Sequence, residues 1–225
     1  MLTRLTPDLW TVNRRQRLAG IQVGTRMTVI RLPEQRLWLH SPVALTPELR
    51  ADLDALGTPC FAVAPNRYHH LYAGEYTTAY PDLQLFVAPG LDIKRPDLRI
   101  AGVLHDTGPD GWRDCIDQVV VRGYPMFNEV VFFHGASHTL LTSDLVFNIQ
   151  GDSPALTRWI FRAIAGYGRF GPTLFERVMI RDRATARVSF QRILSWNFDR
   201  VILAHGHVLE RGGRDALRRG YAWLL

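Results

Sequence analysis

The chain has 225 residues, 47% hydrophobic and 21% charged, with a formal net charge of +6. This is ordinary globular composition, long enough to bury a full two-layer core and read as one domain over 1–225, and no apolar run approaches the roughly 20 residues of a membrane span. The charge is almost wholly arginine, since Lys94 is the only lysine, and the clusters at Arg14, Arg15 and Arg17 and from Arg211 to Arg219 carry no nucleic-acid motif. Solvated faces are the expectation for them, an anionic partner the alternative, and nucleic acid is not expected.

The first forty residues read as a β-meander: LWTVN, then IQVGTRMTVIRL with broad alternation, then RLWLH. A helix follows, with Thr46 before Pro47 at a first helical position, Leu49, Leu53 and Leu56 on one face, and Gly57 as its stop. Next come a strand over Cys60 to Ala64, a His- and Tyr-rich segment from Tyr68 to Tyr80, and a strand over Leu85 to Ala88. The middle is strand-rich, with QVVVRG, NEVVFFHG and HTLLTSDLVFN in succession. Pro154 to Ala165 and Ala184 to Asn197 read as helices around a Gly/Pro loop from Gly166 to Pro172. A strand over Arg200 to Ala204 and a helix from about Asp215 end the chain. Strands and helices in both halves of one unit suggest two sheets packed face to face with helices outside.

Three buried-type strands stop at residues able to bind a metal: His69 and His70, then Asp144, then His205. Cys60 and Cys115 stand in no ligand-type spacing and read as free thiols. The N-terminus lacks an apolar h-region and a cleavage site, so a cytoplasmic protein is the expectation. Tyr68, Tyr72, Tyr76 and Tyr80 recur every fourth residue, which on a helix forms one stripe, either packing surface or substrate wall. GYGRFGP, with glycines at 166, 168 and 171, has the composition of a movable cover.

WLHSPVALTPEL, APNRYHHLY, AYPDLQLFVAPGL, EVVFFHGASHTLLTSDLVFN and RVILAHG resemble the bacterial family DUF4336, which belongs to the metallo-β-lactamase fold superfamily. The resemblance spans nearly the whole chain. It implies an α/β protein, an αββα sandwich of two mixed sheets with helices outside, whose loops at one edge hold one or two zinc, iron or manganese ions. Active members of the superfamily carry HxHxDH; aligning His70 with its last His puts Pro65 and Arg67 at the first two His positions and His69 at the Asp. Tyr124 falls near the place of a third His. The first metal site is therefore dismantled, while Asp144 matches the bridging carboxylate and His205 the final His.

What the resemblance leaves is one divalent transition metal on His69, His70, Asp144 and His205, zinc foremost, iron or manganese as alternatives. Four protein ligands crowd a catalytic zinc, so either the coordination expands to five or His69 swings out and, with Asp144, serves the chemistry directly. A water whose pKa the metal lowers would then attack an ester, lactone, amide or phosphoester. Arg67 would hold an anionic group of a small-molecule substrate, or fill the vacated metal position. Tyr68 and Tyr72 would wall the substrate, and His40 would line the site or orient the ligands. His207 reads as an outer or surface residue, and the roles of His134 and His138 stay open, as does the oligomeric state. A hydrolase is the leading reading; the alternative is a non-catalytic metal or small-ligand binding protein on a degenerate fold.

Overall fold

The computed structural model describes residues 1–18, 20–151 and 153–225. The chain opens with β1 (Thr3–Thr6), β2 (Leu9–Arg14), the short hairpin β3 (Arg17–Leu18) and β4 (Ile21–Gln22), and β5 (Thr25–Arg31). IQVGTRMTVIRL is thus two strands, broken at Val23 and Gly24, where Gly24 takes φ +69°. After β6 (Arg36–His40) comes α1 (Pro47–Leu56), capped by Thr46 Oγ1 accepting from Leu49 N–H at 3.3 Å. Gly57 ends it at φ +157°, where a Cβ would lie 2.0 Å from the Gln35 carbonyl oxygen.

Next are β7 (Thr58–Ala64), α2 (Ala73–Ala79), β8 (Gln84–Val87), α3 (Leu91–Lys94), β9 (Gly102–Val103), β10 (Ile116–Val120), β11 (Val130–His134) and β12 (Thr139–Leu141). The chain finishes with α4 (Ala155–Ala163), α5 (Leu174–Met179), α6 (Arg183–Ser195), β13 (Arg200–Ile202) and α7 (Gly213–Gly220). The tyrosine stripe does not form, because α2 includes only Tyr76 of the four. Helix α5 is additional to the sequence expectation. Its signature was present: Thr173 and Glu176 form a capping box, the carboxylate accepting from Thr173 N–H at 2.6 Å.

A seven-stranded sheet runs β1-β2-β5-β6-β7-β8-β9 and a four-stranded one β10-β11-β12-β13, both of mixed direction. The central strands β5, β6, β7, β11 and β12 are largely buried on both faces, and alternation sorts their side chains. Leu37 and Leu39 of β6 meet Leu49, Leu53 and Tyr76 of the helices outside, while Trp38 joins Phe61, Phe132 and Leu141 between the sheets. On the far side, Val131 and Phe133 of β11 pack with Phe190, Ile193 and Leu217 of α6 and α7. The result is the expected αββα sandwich. Among the described residues no helix is long and apolar enough to cross a membrane.

The parallel pairs β6–β7 and β12–β13 determine where the site falls. Their C-terminal ends lie at one edge of the sandwich, so the chain leaving each strand delivers Ser41, Asn66 to His70, Ser143 with Asp144, and His205 to the same place. Val130 N–H reaches the Pro65 carbonyl at 2.8 Å and Arg67 N–H that of Phe127 at 3.1 Å, lacing the loop after β7 to the second sheet.

Candidate metal centre

His69, Asp144 and His205 come together, each offering a ligand atom within 4.8 Å of the others. The two imidazole Nε2 atoms are 3.3 Å apart. Asp144 presents one oxygen to each ring, Oδ2 at 3.4 Å from His69 and Oδ1 at 3.0 Å from His205. Donors about 2.0–2.2 Å from one tetrahedral ion stand about 3.3–3.6 Å apart, so the spacing suits a metal, with the aspartate edge slightly tight.

Hydrogen bonding identifies the bare atoms. His205 Nδ1 lies 2.8 Å from the Gly24 carbonyl, which can only accept, so a proton sits on Nδ1 and Nε2 is the ring nitrogen that faces Asp144. His69 Nδ1 pairs with Ser41 Oγ at 2.8 Å, and donation there likewise bares its Nε2. A bare nitrogen 3.0 Å from a carboxylate is repulsive unless a cation or proton intervenes. On donor chemistry these residues fit a divalent ion.

The expectation that His70 joins this shell is corrected. Its Nδ1 accepts from Arg95 Nη1 at 2.9 Å, so the neutral ring carries its proton on Nε2 and has no free lone pair. Burial, with Lys94 and Arg95 adding to it, lowers the His70 pKa to about 4, which keeps the ring neutral. The ring still borders the cavity above the three donors.

Asn66, which the sequence reading passed over between Pro65 and Arg67, organises the loop. Fully buried, it donates from Nδ2 to Asp144 Oδ2 at 2.7 Å while its Oδ1 accepts from Tyr68 and His69 N–H at 2.8 and 2.9 Å. Glu129, also fully buried, accepts from the Ser143 and Asp144 amides at 2.7 and 2.8 Å and so fixes the turn that carries the aspartate. Burial, reinforced by the nearby Asp144, pushes the Glu129 carboxyl up to about 7. For Asp144 burial acts in the same direction, but the imidazoles of His69 and His205, donating to the carboxylate where protons rather than an ion lie between them, outweigh it and hold the group well below the usual carboxylate range. Asp144 is the member of the pair that stays ionised.

Arg26 fixes the His205 turn. Its Nη1 donates to the Leu203 carbonyl and its Nη2 to that of Gly206 at 2.7 Å, gripping the chain on both sides of the ligand. Gly206 has φ +102°, and a Cβ there would fall 2.2 Å from the Asn148 carbonyl oxygen.

Other expectations change place. Arg67 is not among the residues that border the cavity: its Nη1 donates to the Pro125 carbonyl at 3.4 Å and its Nε is buried without a partner, so the structure does not bring it to the three donors. His40 is 2% exposed, its ring between Trp38 and Phe132 at 5.9 and 5.5 Å, and Ser41 takes the orienting role assigned to it. Tyr124 is buried against Phe127, and its hydroxyl makes no hydrogen bond to any of the three donors. His134 pairs with Thr139 at the far end of the β11–β12 hairpin and bonds Ser137 Oγ at 2.7 Å; His138 bonds the Asn197 carbonyl at 2.8 Å. Both lie away from the site edge. Tyr68 and Tyr72 do border the cavity, Tyr72 donating to Gln16 Oε1 at 3.2 Å.

The three donors form the floor of a cavity of about 350 Å³. Its walls come from the β3–β4 hairpin, α4 and α5, through Ile21, Val23, Ile160, Phe161, Ile164 and Phe175, with Phe127 and Phe147 alongside. GYGRFGP is not this cover. None of residues 166–172 borders the cavity, and Gly168 and Gly171 are bonded to Ile149 and Phe147.

A family model described as "Domain of unknown function (DUF4336)" matches residues 7–167. No curated protein sequence matches the chain. Among solved structures, the chain is similar to the DIM-1 metallo-β-lactamase exposed to ceftazidime, at 14% identity and TM-score 0.66, covering 100% of this chain and 97% of that one. It is similar to the metallo-β-lactamase FIM-1 from Pseudomonas aeruginosa in its mono-zinc form, at 10% identity and TM-score 0.64, covering 100% and 96%. The metal-soaked Flv1 flavodiiron core from Synechocystis sp. PCC6803 gives 11% identity and TM-score 0.67, covering 100% of this chain and 60% of that one. At these identities the likeness concerns the fold: this is a metallo-β-lactamase-like sandwich.

Proposed function

The chain belongs to the DUF4336 family, and from that premise we propose that it is a metal-dependent hydrolase of small molecules using one divalent transition ion held by His69, Asp144 and His205. The observation that carries this reading is the meeting of two imidazole nitrogens and a carboxylate, 3.0–3.4 Å apart, on the floor of an apolar cavity. Two imidazoles and a carboxylate suit zinc, with iron or manganese as alternatives. The mono-zinc form of FIM-1 supports a single-ion site on this fold.

When bound, the ion would supply a Lewis acid and a water of lowered pKa, able to attack an ester, lactone, amide or phosphoester and split it by adding the elements of water. The chain's own residues do the rest. Ser41 and the Gly24 carbonyl set the tautomer and tilt of the imidazoles, Asn66 steadies the Asp144 carboxylate, and the apolar walls line the approach to the reacting groups. Three protein donors leave a coordination position free, as catalytic zinc requires. With Pro65 and Arg67 unable to donate, a second ion is not expected.

The test is metal analysis of protein purified without added metal and then titrated with zinc, iron and manganese, followed by a screen of esters, lactones, amides and phosphodiesters. One ion per chain, with His205→Ala losing both ion and turnover, is the expected result. One tightly held ion with no turnover anywhere in the screen would make the protein a metal-binding relic of the fold. No retained ion would reject both readings.

A further inference from the structure

We infer that the substrate presents an uncharged, apolar acyl group to the cavity above His69, Asp144 and His205, an inference that rests on the hydrolase reading. The upper cavity is built of Ile21, Val23, Phe127, Ile160, Ile164 and Phe175, and among the described residues no lysine or arginine borders it. Its formal charges other than histidine are two carboxylates, Asp144 on the floor and the buried Glu176, whose Oε2 is engaged by Thr173 N–H and Oγ1 at 2.6 Å.

Four of the cations near it are engaged elsewhere. Lys94 Nζ donates to the Arg67 carbonyl at 2.6 Å, and Arg95 is held by Asp97 and His70. On the covering helices, Arg158 bonds the Gly151 and Ser153 carbonyls and Arg162 lies over the Tyr167 ring at 4.4 Å. A charged group entering this space would leave water without gaining a partner, whereas each methylene would gain the full benefit of burial. The volume, about 350 Å³, lies at the small end of the range for small-molecule sites. An acyl group therefore fills the walls and places its carbonyl at the donors.

The experiment measures binding of linear amides to the zinc-loaded protein by calorimetry, from acetamide through butanamide and hexanamide to octanamide. Affinity should rise about fourfold per methylene until the cavity is full. Octanamide carrying a carboxylate at its far end should bind at least about tenfold more weakly than octanamide. Ile164→Lys, at the partly exposed end of α4, should reverse that preference; if it does not fold, as judged by circular dichroism, Ile160→Lys replaces it. Affinity flat along the series, or equal binding of the carboxylate-tailed amide, would overturn the inference. Tightening along the amides without turnover of any ester would sustain it and sink the hydrolase reading. Ester turnover that ignores acyl length would do the reverse.

Discussion

The floor and the walls of the cavity are built by opposite means. The floor is polar, fixed by strand ends, and over-determined: each donor is held by at least one further bond, to Ser41, to Gly24, or to Asn66 and the Glu129-anchored turn. The walls are apolar and come from a two-stranded hairpin and short helices, several of whose large side chains reach solvent, such as Leu156 at 56%, Trp159 at 68% and Phe175 at 40% exposed. Precise placement of charge needs directional bonds, while an acyl chain needs only area. Substitutions in the floor should therefore have large, specific effects, and those in the walls graded ones.

The sharpest break between neighbours lies within the floor, at His69 and His70. Asp144→Asn and His69→Ala should each lower zinc affinity by more than the 10–100-fold typical of losing an outer partner. His70→Ala should leave it within a few-fold. A competition assay with a chromophoric chelator measures both, and equal losses at His69 and His70 would put His70 back in the coordination shell.

Much of this was legible in the sequence. The strand ends that deliver Asp144 and His205 stood out as buried runs stopping at ligands, and the resemblance supplied the sandwich. Choosing between adjacent histidines was not legible, because it depends on Arg95, twenty-five residues away, claiming one ring nitrogen. Asn66 and Glu129 were missed for a related reason. A lone amide or carboxylate in an apolar run looks like any loop or cap residue until the fold brings its partners within bonding distance. The walls were hidden because Ile160 and Ile164 read as ordinary amphipathic helix and the stretch holding Phe175 did not read as a helix at all, although α5's capping box marked where that part of the cover begins.

Glu129→Ala tests how far the floor depends on its buried support. It leaves the Ser143 and Asp144 amides without their acceptor, each at a cost of about 1–3 kcal/mol. The urea midpoint should fall accordingly, and Glu129→Gln, which retains a carbonyl acceptor, should lose clearly less. Equal losses for the two variants would mean that the charge, not the amide bonds, is what the turn uses.

Acid titration probes the layer beneath the floor. Burial, with the neighbouring His69 ring adding to it, pushes His40 down to about 3, and its Nε2 is buried without a partner. The unfolded ring titrates near 6.5, so between about pH 6.5 and 3 the unfolded state binds more protons than the folded one. Stability is therefore lost as pH falls through that window, by up to about 1.4 kcal/mol per pH unit from this residue. His40→Phe keeps a ring against Trp38 and Phe132 and should flatten that part of the denaturation profile. An unchanged slope would assign the acid sensitivity to other groups.

The smallest effect expected is at Ser41, and it separates orientation from stability. Ser41 sits at φ +56°, a conformation glycine adopts more easily, and its hydroxyl is the 2.8 Å partner of His69 Nδ1. Ser41→Ala keeps the strained backbone and drops the bond, which should cost about 0.5–1.5 kcal/mol of stability and about tenfold in zinc affinity. Ser41→Gly drops the same bond but relieves the backbone, so its thermal midpoint should stay near that of the parent while zinc affinity falls as far as in the alanine variant. If zinc affinity instead follows stability across the pair, the hydroxyl does no orienting, and the tilt of His69 is set by Asn66 and the loop backbone alone.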